Sequence, residues 1–111
     1  MSLKKAQDRA TNPKRADAPL RCDYTKDFEK DWERIKRAGR QNLQRAKDGI
    51  LHLVAHGGYL PPEYLDHPLT GNYAGHREFH AGGDLLVIYF FDSKDREVTF
   101  TRIGTHAELF E

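Results

Sequence analysis

Seven consecutive apolar residues, 85–91, lie between Gly82-Gly83 and Ser93-Lys94-Asp95. A run this short, bounded by turn formers and rich in β-branched and aromatic residues, is a strand with a hairpin connection at each end. It is far too short to cross a bilayer, which takes about 20 apolar residues as a helix. Residues 76–81 and 98–103 read as the strands on either side, so the last third of the chain is expected to fold as a meander.

A sheet with an apolar face needs a covering layer, and the upstream sequence supplies one. Thr25 and Asp27 offer a helix start, Phe28, Trp32 and Ile35 fall on one helical stripe, and Gly39 ends it. A second helix is expected over residues 41–56, with Leu43, Ala46, Ile50, Leu53 and Val54 on its buried face and Gly57-Gly58 after it. Two helices joined by a short loop form an antiparallel hairpin. Residues 20–24 alternate as a short strand, and residues 106–110 form a short terminal helix or turn. Residues 59–74, with Pro61, Pro62, Pro68 and Gly71, read as a loop. The expected class is α+β: an N-terminal strand and an antiparallel helix hairpin packed on a small, mainly antiparallel β-sheet.

At 111 residues the chain holds one domain. Residues 1–19 are polar, with Pro13 and Pro19, and read as an arm in which Ser2 caps a short helix over residues 3–10. Residues 20–111 form the domain proper. The single Cys22 excludes an internal disulfide and a multi-cysteine zinc site, and it reads as a small buried hydrophobe. The N-terminus has no apolar stretch of the signal-peptide kind, so the expected compartment is the cytoplasm, with no membrane partner.

The net charge of +1 hides an asymmetry. Residues 1–49 carry 14 basic against 8 acidic side chains (+6), and residues 50–111 carry 4 against 9 (−5). A basic first half suits a polyanion or an acidic partner; an ordinary solvated helix face explains it equally well.

The second half is punctuated by His67, His76, His80, Arg102 and His106, with Asp84 opening the apolar run. Imidazoles give or take a proton near neutral pH, and a guanidinium holds the charge that builds on a phosphoryl group. Alone, each histidine is more often structural. Asp66-His67-Pro68 is explained by a simple turn, and Arg102 by pairing with Glu78 or Asp84 across strands. Phe110 serves equally as a core residue or a base-stacking platform. His52 and His56 have the i,i+4 spacing of metal ligands, yet no further ligand cluster accompanies them, and no metal or cofactor is expected.

Several blocks in this half form a pattern: Leu60-Pro61, Asp66-His67-Pro68-Leu69, Gly71, Arg77, His80, Asp84, Ile88-Tyr89, and the stretch from Arg102 through Gly104-Thr105-His106 to Leu109-Phe110. In this order and spacing the chain from about residue 60 to 110 resembles the YafQ branch of the RelE/ParE toxin superfamily. The resemblance implies a RelE-like fold and the toxin of a type II toxin–antitoxin pair, a ribosome-dependent and metal-independent mRNA endonuclease. It places catalytic roles on His67, His80, Asp84, Arg102 and His106, and substrate binding on Phe110. The implied partners are a cognate antitoxin, mRNA and ribosomal RNA. Lys30, Arg34, Arg37, Arg40 and Lys47 of the helix pair are the expected rRNA contacts. Where the branch has a tryptophan after the aspartate, this chain has Leu85. The same fold also hosts ParE-like toxins that poison DNA gyrase, and an inactive relative kept as a binding module is a further alternative.

Overall fold

In the computed structural model, which describes residues 18–39 and 43–111, the apolar run becomes β4, Leu85–Asp92, the middle strand of a five-stranded sheet. Its neighbours are β3, Arg77–His80, and β5, Glu97–Thr105, both antiparallel to it. Two short strands complete the edges: β1, Arg21–Tyr24, parallel to β5, and β2, His67–Pro68, antiparallel to β3. The order across the sheet is β1-β5-β4-β3-β2. The expected meander is therefore β3-β4-β5.

Helix α1, Lys26–Ala38, begins where Thr25 Oγ1 accepts the Phe28 amide at 3.0 Å. It ends at Gly39, which takes the left-handed φ of 67° that glycine reaches without strain. Asp27 and Glu29 in the first turn and Lys36 and Arg37 in the last complement the helix dipole. Helix α2 spans Leu43–Ala55. Phe28 and Ile35 of α1 and Ala46 and Leu53 of α2 pack with Phe79, Val87, Tyr89, Val98, Phe100 and Ile103 in the main core. Gly49 sets the depth of this contact. A Cβ there would lie 2.6 Å from Phe79 Cε1 and 3.0 Å from Tyr64 Cε1, so only glycine lets α2 lie so close to β3.

The opposite face has its own smaller core. Leu86 and Ile88 pack under Leu109 of helix α3, His106–Phe110, with Leu69, Tyr73 and Phe110 around them. Both faces of β4 are thus covered, which is why its sequence is a continuous apolar run instead of an alternating one.

Two expectations are corrected or extended. Cys22 is exposed, not buried, because β1 is an edge strand whose four residues all face solvent. Partial desolvation and the neighbouring Asp23 and Glu97 carboxylates push its thiol pKa up, which disfavours the reactive thiolate. The 59–74 loop contains two 3-10 turns, Pro62–Tyr64 and Gly71–Tyr73, and the two residues of β2. The expected helix over 3–10 and the side chain of Arg40 lie outside the described residues. No helix among the described residues is long and apolar enough to cross a membrane.

Candidate active site

Cross-strand partners project from the same face of a sheet. His67 is paired with Glu78, Glu78 with Ile88, and Ile88 with Arg102. One row across four strands therefore carries His67, Glu78, Ile88 and Arg102 on the face that α3 covers. The adjacent row carries His80, Leu86 and Gly104. Glu78 and Arg102 stand two strand spacings apart, roughly 10 Å between backbones.

Asp66 fixes the direction of His67. Its carboxylate accepts the Tyr89 hydroxyl at 2.6 Å, Arg77 Nε at 3.2 Å and Arg77 Nη2 at 3.4 Å. Burial and the Asp66 carboxylate push the Tyr89 phenol well above its ordinary value, so it stays protonated and donates. With Asp66 anchored to β3 and β4 in this way, the next residue turns to the opposite face.

There His67 meets Glu78. His67 Nε2 lies 2.9 Å from Glu78 Oε2, and His80 Nε2 lies 3.9 Å from the same oxygen. The two rings are 6.0 Å apart. Only 8% of the Glu78 side chain is exposed, and its Oε1 is buried with no hydrogen-bond partner among the described residues. The other nitrogen of His67, Nδ1, lies 3.0 Å from the Pro68 carbonyl, which can only accept. Both nitrogens of His67 thus face acceptors, whereas a neutral imidazole has one N–H. The set is satisfied when one additional proton resides on His67 or on Glu78.

Glu78 is not among the residues that the sequence marks as candidates. The available signal was spacing: Glu78 and His80 are two apart in a strand and so share a face. Asp84, the expected catalytic carboxylate, is exposed in the turn before β4, and the carboxylate that meets the imidazoles is Glu78.

Arg102 is held from the other side of the sheet. Its Nε and Nη2 donate to Asp31 Oδ2 and Oδ1 of α1 at 2.6 and 3.1 Å. The partner is neither Glu78 nor Asp84. Asp31 is buried, and its Oδ2 also accepts the Ile103 amide at 3.1 Å. Hydrogen bonding to Asp31, which outweighs the cost of partial burial, raises the Arg102 pKa and keeps it cationic. Tyr73 stands within electrostatic reach of the guanidinium.

Helix α3 brings His106 and Phe110 to this face. Its capping box is complete: Thr105 Oγ1 accepts the Glu108 amide at 3.2 Å, and Glu108 Oε1 accepts the Thr105 amide at 2.8 Å. A Cβ on Gly104 would lie 2.9 Å from Glu108 Oε1 and 3.2 Å from Leu109 Cδ2, so the glycine is what lets α3 fold back onto the sheet. His106 is largely exposed and lies against Phe110, 5.0 Å between ring centroids. Phe110 in turn meets the edge of Tyr73 at 5.5 Å.

The basic residues divide. Lys30, Arg34 and Arg37 line a shallow groove with Glu29 and Glu33. Arg34 is committed elsewhere, donating to Glu108 at 2.6 Å and to Asp31 at 3.3 Å. Lys47 borders a different groove, about 300 Å³, with Phe28, Trp32, Ile50 and Leu51.

His67, Glu78 and His80 each offer a ligand atom within 4.8 Å of the others and could receive a metal ion. His52 and His56 instead stack on each other at 4.2 Å, with His52 Nδ1 3.1 Å from the Tyr59 carbonyl. Paired imidazoles around a buried carboxylate and a fixed guanidinium on one sheet face are the residue types that acid–base chemistry on a phosphodiester needs.

This fold and this face define a small α+β protein of the RelE/ParE toxin type. Residues 20–111 match the family described as the bacterial toxin of type II toxin–antitoxin system, YafQ, and the chain belongs to that family. The mRNA interferase toxin YafQ of Escherichia coli is 32% identical over 88 residues, which cover 79% of this chain and 92% of that protein. A crystal structure of E. coli YafQ superposes with a TM-score of 0.74 at 29% identity, covering 83% of this chain and 99% of that one. The toxin in a crystal structure of the E. coli DinJ–YafQ complex gives 0.73 at 30% identity over the same shares.

Proposed function

We propose that this toxin cleaves mRNA on the ribosome, with the ribose 2′-hydroxyl as nucleophile. The observation that carries the reading is the gathering of His67 and His80 around buried Glu78, in the rows that also bear Arg102. The name of the E. coli relative, mRNA interferase toxin, supports it.

In this mechanism His80 Nε2 removes the 2′-hydroxyl proton, and Glu78 stabilises the imidazolium that forms. The 2′-oxygen bonds to phosphorus, and the bond from phosphorus to the 5′-oxygen breaks. Arg102 stabilises the crowded phosphorane. His106, exposed on α3, protonates the leaving 5′-oxygen, while Phe110 stacks a neighbouring base. His67, 2.9 Å from Glu78 through Nε2, keeps that carboxylate in place. Asp84, exposed beside the site, is the alternative base. The products are a 2′,3′-cyclic phosphate and a 5′-hydroxyl.

The reaction needs no metal, because these residues supply base, acid and charge stabilisation. A metal on His67, Glu78 and His80 would occupy the proton-transfer atoms. A transition-metal chelator in magnesium buffer should therefore leave cleavage unchanged, and loss of cleavage would assign the cluster to a working metal. Lys30, Arg37 and Lys47 contact ribosomal RNA in this reading, which predicts salt-sensitive binding. The cytoplasm is the proposed compartment.

The DinJ–YafQ complex supports a cognate antitoxin for this chain as well. We place its docking segment, acidic and folding on contact, on the basic helix pair or a sheet edge. Expression without antitoxin should arrest translation while replication continues, with cleaved mRNA recovered from ribosomes. Intact mRNA with gyrase-linked DNA damage would instead identify a gyrase poison.

A further inference from the structure

Asp31 is the only carboxylate among the described residues that reaches Arg102 by hydrogen bond, and it does so from helix α1 on the far side of β5. It is buried, in a helix whose other exposed faces carry ordinary solvated charge. β1 pairs with β5 only through Phe100. Beyond that point α1 runs beside β5, and Asp31 Oδ2 accepts the Ile103 amide in place of a strand neighbour. The same oxygen takes Arg102 Nε at 2.6 Å, and Oδ1 takes Nη2 at 3.1 Å.

A guanidinium has five N–H donors in a planar fork. Asp31 occupies the edge formed by Nε and Nη2. The edge formed by Nη1 and Nη2 is left to bind a phosphate through two parallel hydrogen bonds. Oδ1 also accepts Arg34 Nη2 at 3.3 Å, and Arg34 Nη1 donates to Glu108 Oε2 at 2.6 Å. Glu108 caps the helix that carries His106 and Phe110. One buried carboxylate is thus tied to the phosphate-binding group directly and to the helix of the proposed acid through one intermediary.

We propose that Asp31 is a positioning residue for RNA cleavage, fixing the Arg102 guanidinium so that one edge faces the reacting phosphate. This rests on the reading that Arg102 acts at that phosphate. Asp31 does not touch substrate, and its effect passes through Arg102.

A double-mutant cycle on single-turnover cleavage by toxin bound to ribosomes tests the idea, with Asp31→Asn, Arg102→Ala and the pair. Asparagine keeps an acceptor for the Ile103 amide but presents an amide where Arg102 needs an acceptor. Misplacing a catalytic group by about an ångström costs up to roughly a hundredfold in rate. Asp31→Asn should therefore slow cleavage at least about tenfold with ribosome affinity nearly unchanged, and should cost less than about twofold when Arg102 is already alanine. Losses that multiply in the double mutant would make Asp31 a purely structural residue and overturn the proposal. If Arg102→Ala itself leaves the rate unchanged, the role of Arg102 at the phosphate fails and the positioning role falls with it. Should Asp31→Asn not fold, the wild-type toxin decides by NMR. The Arg102 Nε–H should exchange slowly with solvent, and fast exchange would overturn the fixed guanidinium.

Discussion

Glu78 carries an unusual load for one side chain. It is buried, one oxygen is without a partner among the described residues, and the other faces two imidazoles. A carboxylate so placed costs folding free energy unless it is paired, and His67 Nε2 lies 2.9 Å from it. Glu78→Gln keeps the shape and removes the charge. It should slow single-turnover cleavage by about a hundredfold or more, the usual range for disabling acid–base chemistry, while the urea midpoint stays near wild type. An unchanged rate would return the carboxylate role to Asp84. The histidines and Arg102 stand out as candidates in the sequence, because residues of those types suit phosphodiester chemistry and match a family pattern. Glu78 and Asp31 do not. What marks them is burial and the partners they meet, and those arise from β2 pairing with β3 and from α1 lying beside β5. Cys22 misled for a related reason, since a strand pattern does not reveal which strand is the edge.

Among the α-helices of the described residues, α3 is the shortest and the most open to perturbation. It has five residues, too few to be stable alone, and is held by its capping box, by Leu109 and by Arg34. Hydrogen bonding from the Thr105 amide, and to a lesser extent Arg34, holds the Glu108 carboxyl below its ordinary 4.5. A carboxyl depressed by folding means that the unfolded chain binds more protons in that range, so stability rises with pH there. The contribution is present above about 4.5 and is lost as pH falls through the folded value. The difference in urea midpoint between wild type and Glu108→Gln should accordingly shrink on acidification below that range. A constant difference would mean that the charge of Glu108 does not support the cap. Gly104 gives a steric test of the same element. Gly104→Ala puts a methyl against Glu108 and Leu109 and should cost about 1–3 kcal/mol, with His106 and Phe110 displaced and cleavage impaired. NMR contacts between Phe110 and Tyr73 that survive the substitution would contradict that account. The main strands and both long helices were legible because their periodicity and stop signals are local. β2 was not, since two residues in a proline-containing loop carry no strand pattern and their pairing is visible only from β3.

At the scale of the molecule the sheet separates two tasks. The helix pair covers one face, and the other bears His67, Glu78, His80 and Arg102 under α3. A partner on the helix face can therefore leave the histidine face open, which suits the proposed action on ribosome-bound mRNA. The joining of α1 to this face through Asp31 and Arg34 is visible only in the folded arrangement. The central claim is that this face transfers protons to and from a ribose phosphodiester whose own 2′-hydroxyl attacks. The most direct measurement is single-turnover cleavage on ribosomes programmed with an mRNA carrying one 2′-deoxynucleotide at the scissile position. The account predicts no cut at that bond, and from the all-ribose message an upstream fragment ending in a 2′,3′-cyclic phosphate or the 3′-phosphate formed by its opening. Cleavage at the deoxynucleotide, or a downstream fragment bearing a 5′-phosphate, would contradict it.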